Sequence, residues 1–155
     1  MTTPPKAPEL ITAEWFNTEA PPTLAALDGR VVVVLAFQML CPGCVAEAIP
    51  RAKRLRRAFA PEDVAVIGLH TVFEHHGAMT PVSLAAFLHE YRVEFPVAVD
   101  RPASAGPVPE TMALYGMRGT PTWLLIDRQG RLRRQYFGHA EDMLLGAEVM
   151  ALVRD

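Results

Sequence analysis

The seven residues Val31 to Phe37 are all apolar and mostly β-branched, without the alternation that marks a strand with one wet face. Such a run reads as a strand buried on both faces, which needs cover on each side of its sheet. Val64 to Leu69 reads the same way after the turn Pro61-Glu62-Asp63, and Val97 to Val99 is a shorter strand. Ile11 to Thr18, with Trp15 and Phe16, reads as a short strand or hydrophobic plug, and Asp28-Gly29-Arg30 turns the chain into Val31. A helical segment is expected from about Pro42 to Phe59. It is interrupted or kinked near Pro50, because proline lacks the N–H a helix interior needs. Residues 71–80 form a loop, and Pro81 to Tyr91 a helix with proline at its favoured first turn. After the proline-rich loop 101–109 comes a short helix, Pro109 to Tyr115. Trp123 to Ile126 and Leu132 to Phe137 flank Asp127-Arg128-Gln129-Gly130, whose residues favour a hairpin turn. An amphipathic helix over 140–153 closes the chain. Strands alternating with helices, then a terminal hairpin and helix, predict an α/β fold layered around a mixed sheet.

The chain has 155 residues, half of them apolar, enough for one domain with a substantial core. The expected division is a flexible, proline-containing lead-in over residues 1–10 and a single domain over 11–155. The net charge of −2 argues against a nucleic-acid partner, which needs a concentrated basic surface. The one basic cluster, Arg51, Lys53, Arg54, Arg56 and Arg57, falls on the helical segment and reads as a solvated face. The lead-in has no apolar core of a secretory signal, and the stretch Val31 to Leu40, interrupted by Gln38, is too short to span a bilayer. No membrane partner and a cytoplasmic location are the expectations.

The chain holds two cysteines, spaced Cys41-Pro42-Gly43-Cys44, where the first buried strand gives way to a helix. A thiol at a helix N-terminus faces unpaired backbone N–H groups and the positive end of the dipole, which favour its thiolate. Lowering a thiol pKa from about 8.5 to about 6.5 raises the thiolate fraction at pH 7 from roughly 3% to roughly 75%. Cys41 is then the exposed nucleophile, and Cys44, one turn further in, the resolving thiol. A purely structural disulfide is the competing reading. A four-residue loop restricts the unfolded chain by only about 1.9 kcal/mol, against about 3 for fifteen residues, so redox chemistry is the better account. Gly119-Thr120-Pro121, entering a strand, is a second element. A cis peptide there would present the Thr120 backbone beside Cys41.

Taken together, the strand Val31 to Phe37, the Cys41–Cys44 motif heading a helix, Gly119-Thr120-Pro121 and the hairpin Leu124 to Phe137 resemble the thioredoxin superfamily. The pattern is most similar to its TlpA/ResA-like and redoxin-type thiol–disulfide oxidoreductases. The resemblance covers about residues 20–153. It implies a thioredoxin-like α/β/α sandwich whose extra helix 81–91 and strand 97–99 are inserted between the cysteines and Thr120-Pro121. It implies that Cys41 attacks and Cys44 resolves. Pro121 is the cis-proline that positions the incoming substrate, with Pro42, Gly43 and Thr120 beside it. Three positions depart from the pattern. Leu35 stands where thioredoxin has a buried aspartate, so the base for Cys44 is unassigned. Leu40 replaces an aromatic, and the helix proline falls one residue late, at Pro50.

His70 ends the second buried strand, and Glu74-His75-His76 follow in the loop. Ligands collect at the carboxyl ends of parallel strands in such sheets, so this loop is expected to border the cysteines. Three readings stand: a polar loop without chemistry, acid/base or recognition work by His70, His75 or His76, or a zinc or copper site shared with the cysteines. A peroxidase of the peroxiredoxin kind is a further alternative, although such enzymes have threonine where Gln38 stands. The partners expected are a protein or small-molecule disulfide or thiol and an electron donor, with no organic cofactor.

Overall fold

The computed structural model describes residues 2–155. Its six strands are β1 (Thr12–Phe16), β2 (Val31–Phe37), β3 (Val64–His70), β4 (Val97–Asp100), β5 (Thr122–Ile126) and β6 (Leu132–Phe137). They form one sheet in the order β1-β4-β3-β2-β5-β6. β2, β3 and β4 run parallel, while β1, β5 and β6 pair antiparallel with their neighbours. This is the mixed sheet of a thioredoxin-like fold. The Ile11–Thr18 stretch is an edge strand, and the inserted helix–strand unit is α2 (Pro81–Glu90) followed by β4.

Every residue of β2 is buried, and the pleat divides them between two cores. Val31, Val33, Leu35 and Phe37 meet α1 (Ile49–Ala58), α2 and α4 (Asp142–Arg154) through Ile49, Ala52, Leu84, Leu145 and Val149. Val32, Val34 and Ala36 meet Met112 of α3 (Glu110–Tyr115) and the N-terminal residues Leu10, Leu24 and Leu27. Because both faces are covered, the unalternating sequence is what the strand requires.

Two expectations need correction. The lead-in does not hang free. Ala7 N–H donates to Gly130 O, Leu132 N–H to Pro5 O, and the Glu9 carboxylate accepts Leu24 N–H (2.7 Å) and Ala25 N–H (3.0 Å). Its prolines keep it out of the sheet's main ladder, but its polar backbone still finds partners. The basic cluster is not one solvated face either. Arg51 is buried and, with Arg54, grips Asp142 at the start of α4. These two guanidinium groups, Arg54 first, hold the Asp142 carboxyl down to about 2.

The predicted break at Pro50 takes a particular form. Residues Cys44–Ala48 make a π-helical turn that leads into α1, with Ile49 N–H donating to Cys44 O. Pro50 has no N–H to give and its ring would crowd a carbonyl one turn back, so the wider turn relieves the clash. A π turn holds one residue more than an α turn, which accounts for the proline arriving one position late.

His70, at the end of β3, is 1% exposed and packs tilted against Phe37 at 5.2 Å. Burial lowers its pKa to about 4. The unfolded histidine takes up a proton near pH 6.5 while the folded one does not, so this contribution to stability is present above pH 6.5. It is lost as the pH falls toward 4, by about 3 kcal/mol in all. We expect the stability difference between the wild type and His70→Phe, from urea unfolding, to shrink by that order between pH 7 and pH 4. A difference that is constant with pH contradicts a neutral buried imidazole.

Packing at two glycines predicts opposite signs. A Cβ on Gly68 would stand 3.0–3.2 Å from Phe95, Val97 and Phe37, all buried, whereas one on Gly146 in α4 meets nothing within 4 Å. Gly68→Ala is expected to destabilise by about 1–3 kcal/mol through overpacking. Gly146→Ala is expected to stabilise by about 0.5–1 kcal/mol through helix propensity. Denaturant midpoints check both.

Candidate active site

β2 ends at Phe37, and Gln38-Met39-Leu40 turn the chain onto Cys41. The turn closes through Cys41 N–H donating to Gln38 O (3.0 Å) and Met39 N–H donating to Nε2 of His70 (3.2 Å). Helical bonding starts at once, with Val45 N–H donating to Cys41 O (3.1 Å). The cysteines therefore head a helix, where free N–H groups favour negative charge. One of these groups, Cys44 N–H, points at Cys41 Sγ from 3.3 Å.

Both cysteines are free, and their sulfurs lie 2.7 Å apart, so the pair is within reach of a bond of about 2.05 Å without large backbone movement. Their surroundings differ. Cys41 is half-buried and Cys44 fully buried. Burial first, then the contact with the Cys41 side chain, pushes the Cys44 thiol up to about 12. Leu35, at the place where an aspartate was sought, lies in the same core cluster as Cys44 and supplies no charge.

The Thr120–Pro121 peptide is cis, and Thr120 O stands 3.6 Å from Cys41 Sγ. Thr122 Oγ1 donates to Gly119 O (2.7 Å) and Gly138 N–H to Pro121 O (2.8 Å), which pin the loop from both sides. Pro42 and Gly43 are exposed, and a Cβ on Gly43 would come to 4.0 Å from Pro121. The cysteine helix and the proline loop thus approach each other across Cys41. Phe137 of β6 lies against Gly119, where any Cβ would stand 2.7 Å from its ring, and the Arg118 guanidinium sits over that ring, 5.5 Å from its centroid. Leu40 and Phe137 keep 55% and 51% of their surface in solvent. Two exposed apolar side chains therefore stand on the segments that hold the pair, Leu40 next to Cys41 and Phe137 against Gly119.

The histidines are not gathered at the sulfurs. His70 is buried with its Nε2 committed to the Met39 N–H, which makes it a brace for the cysteine turn and not a solvent-facing acid or base. His75 and His76 are exposed, and His76 Nε2 lies 3.0 Å from Pro107 O in the neighbouring loop. Among the described residues, no group of three or more His, Cys, Asp or Glu is arranged to hold a metal ion. β3 draws His70 into the core, while His75 and His76 stay at the surface.

Three residues on or against the cysteine turn and the cis-proline loop were not singled out as site residues from the sequence: Gln38, Phe137 and Arg118. Only Gln38 left a signal, as the single polar residue in the run Val31 to Leu40. It is 1% exposed. Its Oε1 accepts Phe73 N–H (3.2 Å), and its Nε2 reaches Glu74 Oε1 (3.4 Å) and Thr120 Oγ1 (3.5 Å).

Comparisons with known proteins agree with this geometry. Residues 6–144 match the redoxin family. The chain is 24% identical over 132 residues to the thiol-disulfide oxidoreductase ResA of Halalkalibacterium halodurans, covering 84% of this chain and 66% of that protein's length. A crystal structure of a thioredoxin-like superfamily protein superposes with a TM-score of 0.95 at 59% identity, over 97% of both chains. That of a thiol-disulfide isomerase from Corynebacterium glutamicum does so with 0.93 at 45% identity, again over 97% of both. With a cysteine pair heading a helix opposite a cis-proline in a six-stranded mixed sheet, the chain belongs to the redoxin family and is a thioredoxin-like thiol–disulfide oxidoreductase.

Proposed function

We propose that Cys41 and Cys44 are the redox couple, with Cys41 attacking and Cys44 resolving. The observation that carries this reading is their unequal placement. Cys41 Sγ is partly open to solvent beside the Thr120 carbonyl, and Cys44, held as a thiol by burial, lies directly behind it.

In the reducing direction, the Cys41 thiolate attacks one sulfur of a substrate disulfide. A Cys41–substrate bond forms, the substrate S–S bond breaks, and one thiolate leaves. Cys44 then loses its proton and attacks Cys41 Sγ, which releases the second substrate thiol. The protein is left as the Cys41–Cys44 disulfide, two electrons poorer, and a thiol donor returns them through the same steps in reverse. The Cys44 N–H aimed at Cys41 Sγ favours charge there when Cys41 attacks and again when it departs. The cysteines carry the electrons themselves, so no organic cofactor enters these steps. Substrates are protein or small-molecule disulfides. Thr120 and Pro121, with Pro42 and Gly43 facing them, form the wall along which such a substrate lies.

Trapping tests the division of labour. Cys44→Ser, challenged with glutathione disulfide, is expected to accumulate a stable mixed disulfide at Cys41, read as one glutathione added in the intact mass. Cys41→Ser is expected to accumulate none on the same time scale. Rapid modification of Cys44 in Cys41→Ser would reverse the assignment. Resolution also carries a pH signature. While Cys44 remains mostly protonated, the rate of the second step should rise about tenfold per pH unit between pH 6 and 8. A flat profile would remove deprotonation of Cys44 from the step.

A further inference from the structure

The basic cluster on α1 divides by its partners. Arg51 and Arg54 are taken by Asp142, whereas Lys53, Arg56 and Arg57, spaced i, i+3 and i+4, share another face of the helix. That face meets the turn after α2 at a cavity of about 320 Å³, lined by Lys53, Arg56, Arg57, Arg92, Glu94 and Phe95. Four cations thus share one concavity with a single carboxylate. Among the described residues, none of the four is ion-paired with a carboxylate, Glu94 included. Lys53 Nζ donates one hydrogen to Tyr91 O, which ties α1 to the end of α2 and leaves two hydrogens to give. Like charges gathered in this way oppose one another unless a counter-charge sits among them.

The backbone at Arg92 is a second, independent observation. Its φ of 53° lies in the left-handed region. There α2 closes through Arg92 N–H donating to His89 O (3.2 Å) and Val93 N–H donating to Leu88 O (2.9 Å). This is the Schellman ending, whose left-handed position favours glycine because a Cβ there is strained. A cation beside a helix C-terminus gains from the dipole, which accounts for Arg56 and Arg57 in the last turn of α1. That gain does not require an arginine in a glycine position.

We propose that this cavity is an anion site for a polyphosphate, gripped by Lys53, Arg56, Arg57 and Arg92. Guanidinium groups meet phosphate oxygens in paired, charge-assisted hydrogen bonds. Four cations against the one Glu94 carboxylate leave an excess of positive charge that two or three linked phosphates neutralise better than a single sulfate does. The chain's net charge of −2 offers no general attraction for anions, so the binding is local. The site lies toward the end of α1 away from Cys44, apart from the thiol chemistry.

Isothermal titration with inorganic pyrophosphate and tripolyphosphate at low ionic strength, with sulfate as the reference, tests the site. Both are expected to bind one per chain and at least about tenfold more tightly than sulfate. Arg57→Gln should weaken binding about tenfold, as loss of a hydrogen-bonded charge does. Arg154→Gln, outside the cavity, should stay within about twofold. Glu94→Gln should tighten binding, since it removes the negative charge at the site. Arg92→Gly separates function from stability: it should raise the urea midpoint by relieving the left-handed residue, yet weaken pyrophosphate binding about tenfold. ADP carries two linked phosphates on a nucleoside. Binding of ADP as tight as that of pyrophosphate, or tighter, identifies a nucleotide as the source, and weaker binding identifies an inorganic polyphosphate. Pyrophosphate binding no tighter than that of sulfate, or binding unchanged in both Arg57→Gln and Arg92→Gly, overturns the proposal.

Discussion

β2 lies at the centre of the sheet with all seven residues buried, hydrogen-bonded to β3 on one side and β5 on the other. A strand so placed has no room for chemistry along its length, and each of its polar backbone groups is used by a neighbour. The chain regains polar side chains and free N–H groups only where β2 ends, at Gln38, and there the helix headed by Cys41 begins. β3 ends alongside it at His70 and β5 begins there at Thr122. The buried strand thus brings the cysteine turn, the loop after β3 and the cis-proline loop to one edge of the sheet.

Buried polar groups hold that edge in shape. His70 accepts the Met39 N–H, and Asp100 accepts from Thr71 Oγ1 and from the N–H groups of Thr111 and Met112 that open α3. Burial raises the Asp100 carboxyl, and these hydrogen bonds oppose the rise. Gln38 joins the loop after β3 to Thr120. In low-dielectric surroundings, such groups cost free energy unless satisfied, so a satisfied set specifies one geometry strongly. The difference between Cys41 and Cys44 follows. One sulfur is left at the rim while the other is sealed among Leu35, Ala48 and Trp123 in the core.

Much of this was legible in the chain before any coordinates. β2 and β3 showed as unalternating apolar runs because both faces are covered, and the hairpin showed because Asp127 and Gly130 are turn residues. Asp127 Oδ1 accepts the N–H groups of Gln129 and Arg131, and Gly130 adopts a positive φ. Cys41, Cys44 and the Thr120–Pro121 pair stood out through residue type and spacing. The late proline was visible at Pro50, but the π turn that absorbs it depends on three-dimensional bonding. The role of His70 was misleading in sequence. A histidine at a strand's carboxyl end points equally well to solvent or core, and only packing against Phe37 decides. Arg51 looked solvent-facing for the same reason, since its partner Asp142 lies 91 residues away.

The most direct measurement of the central claim is a redox titration of the purified protein in glutathione buffers, with thiols counted by mass after alkylation. The account predicts a single reversible two-electron transition that interconverts Cys41 and Cys44 as a dithiol and an intramolecular disulfide, absent from both single cysteine-to-serine variants. Its midpoint should fall within the range of related C-x-x-C proteins, about −270 to −120 mV. Two free thiols at every potential in that range, or an oxidised form that is only ever glutathionylated or intermolecular, would contradict it.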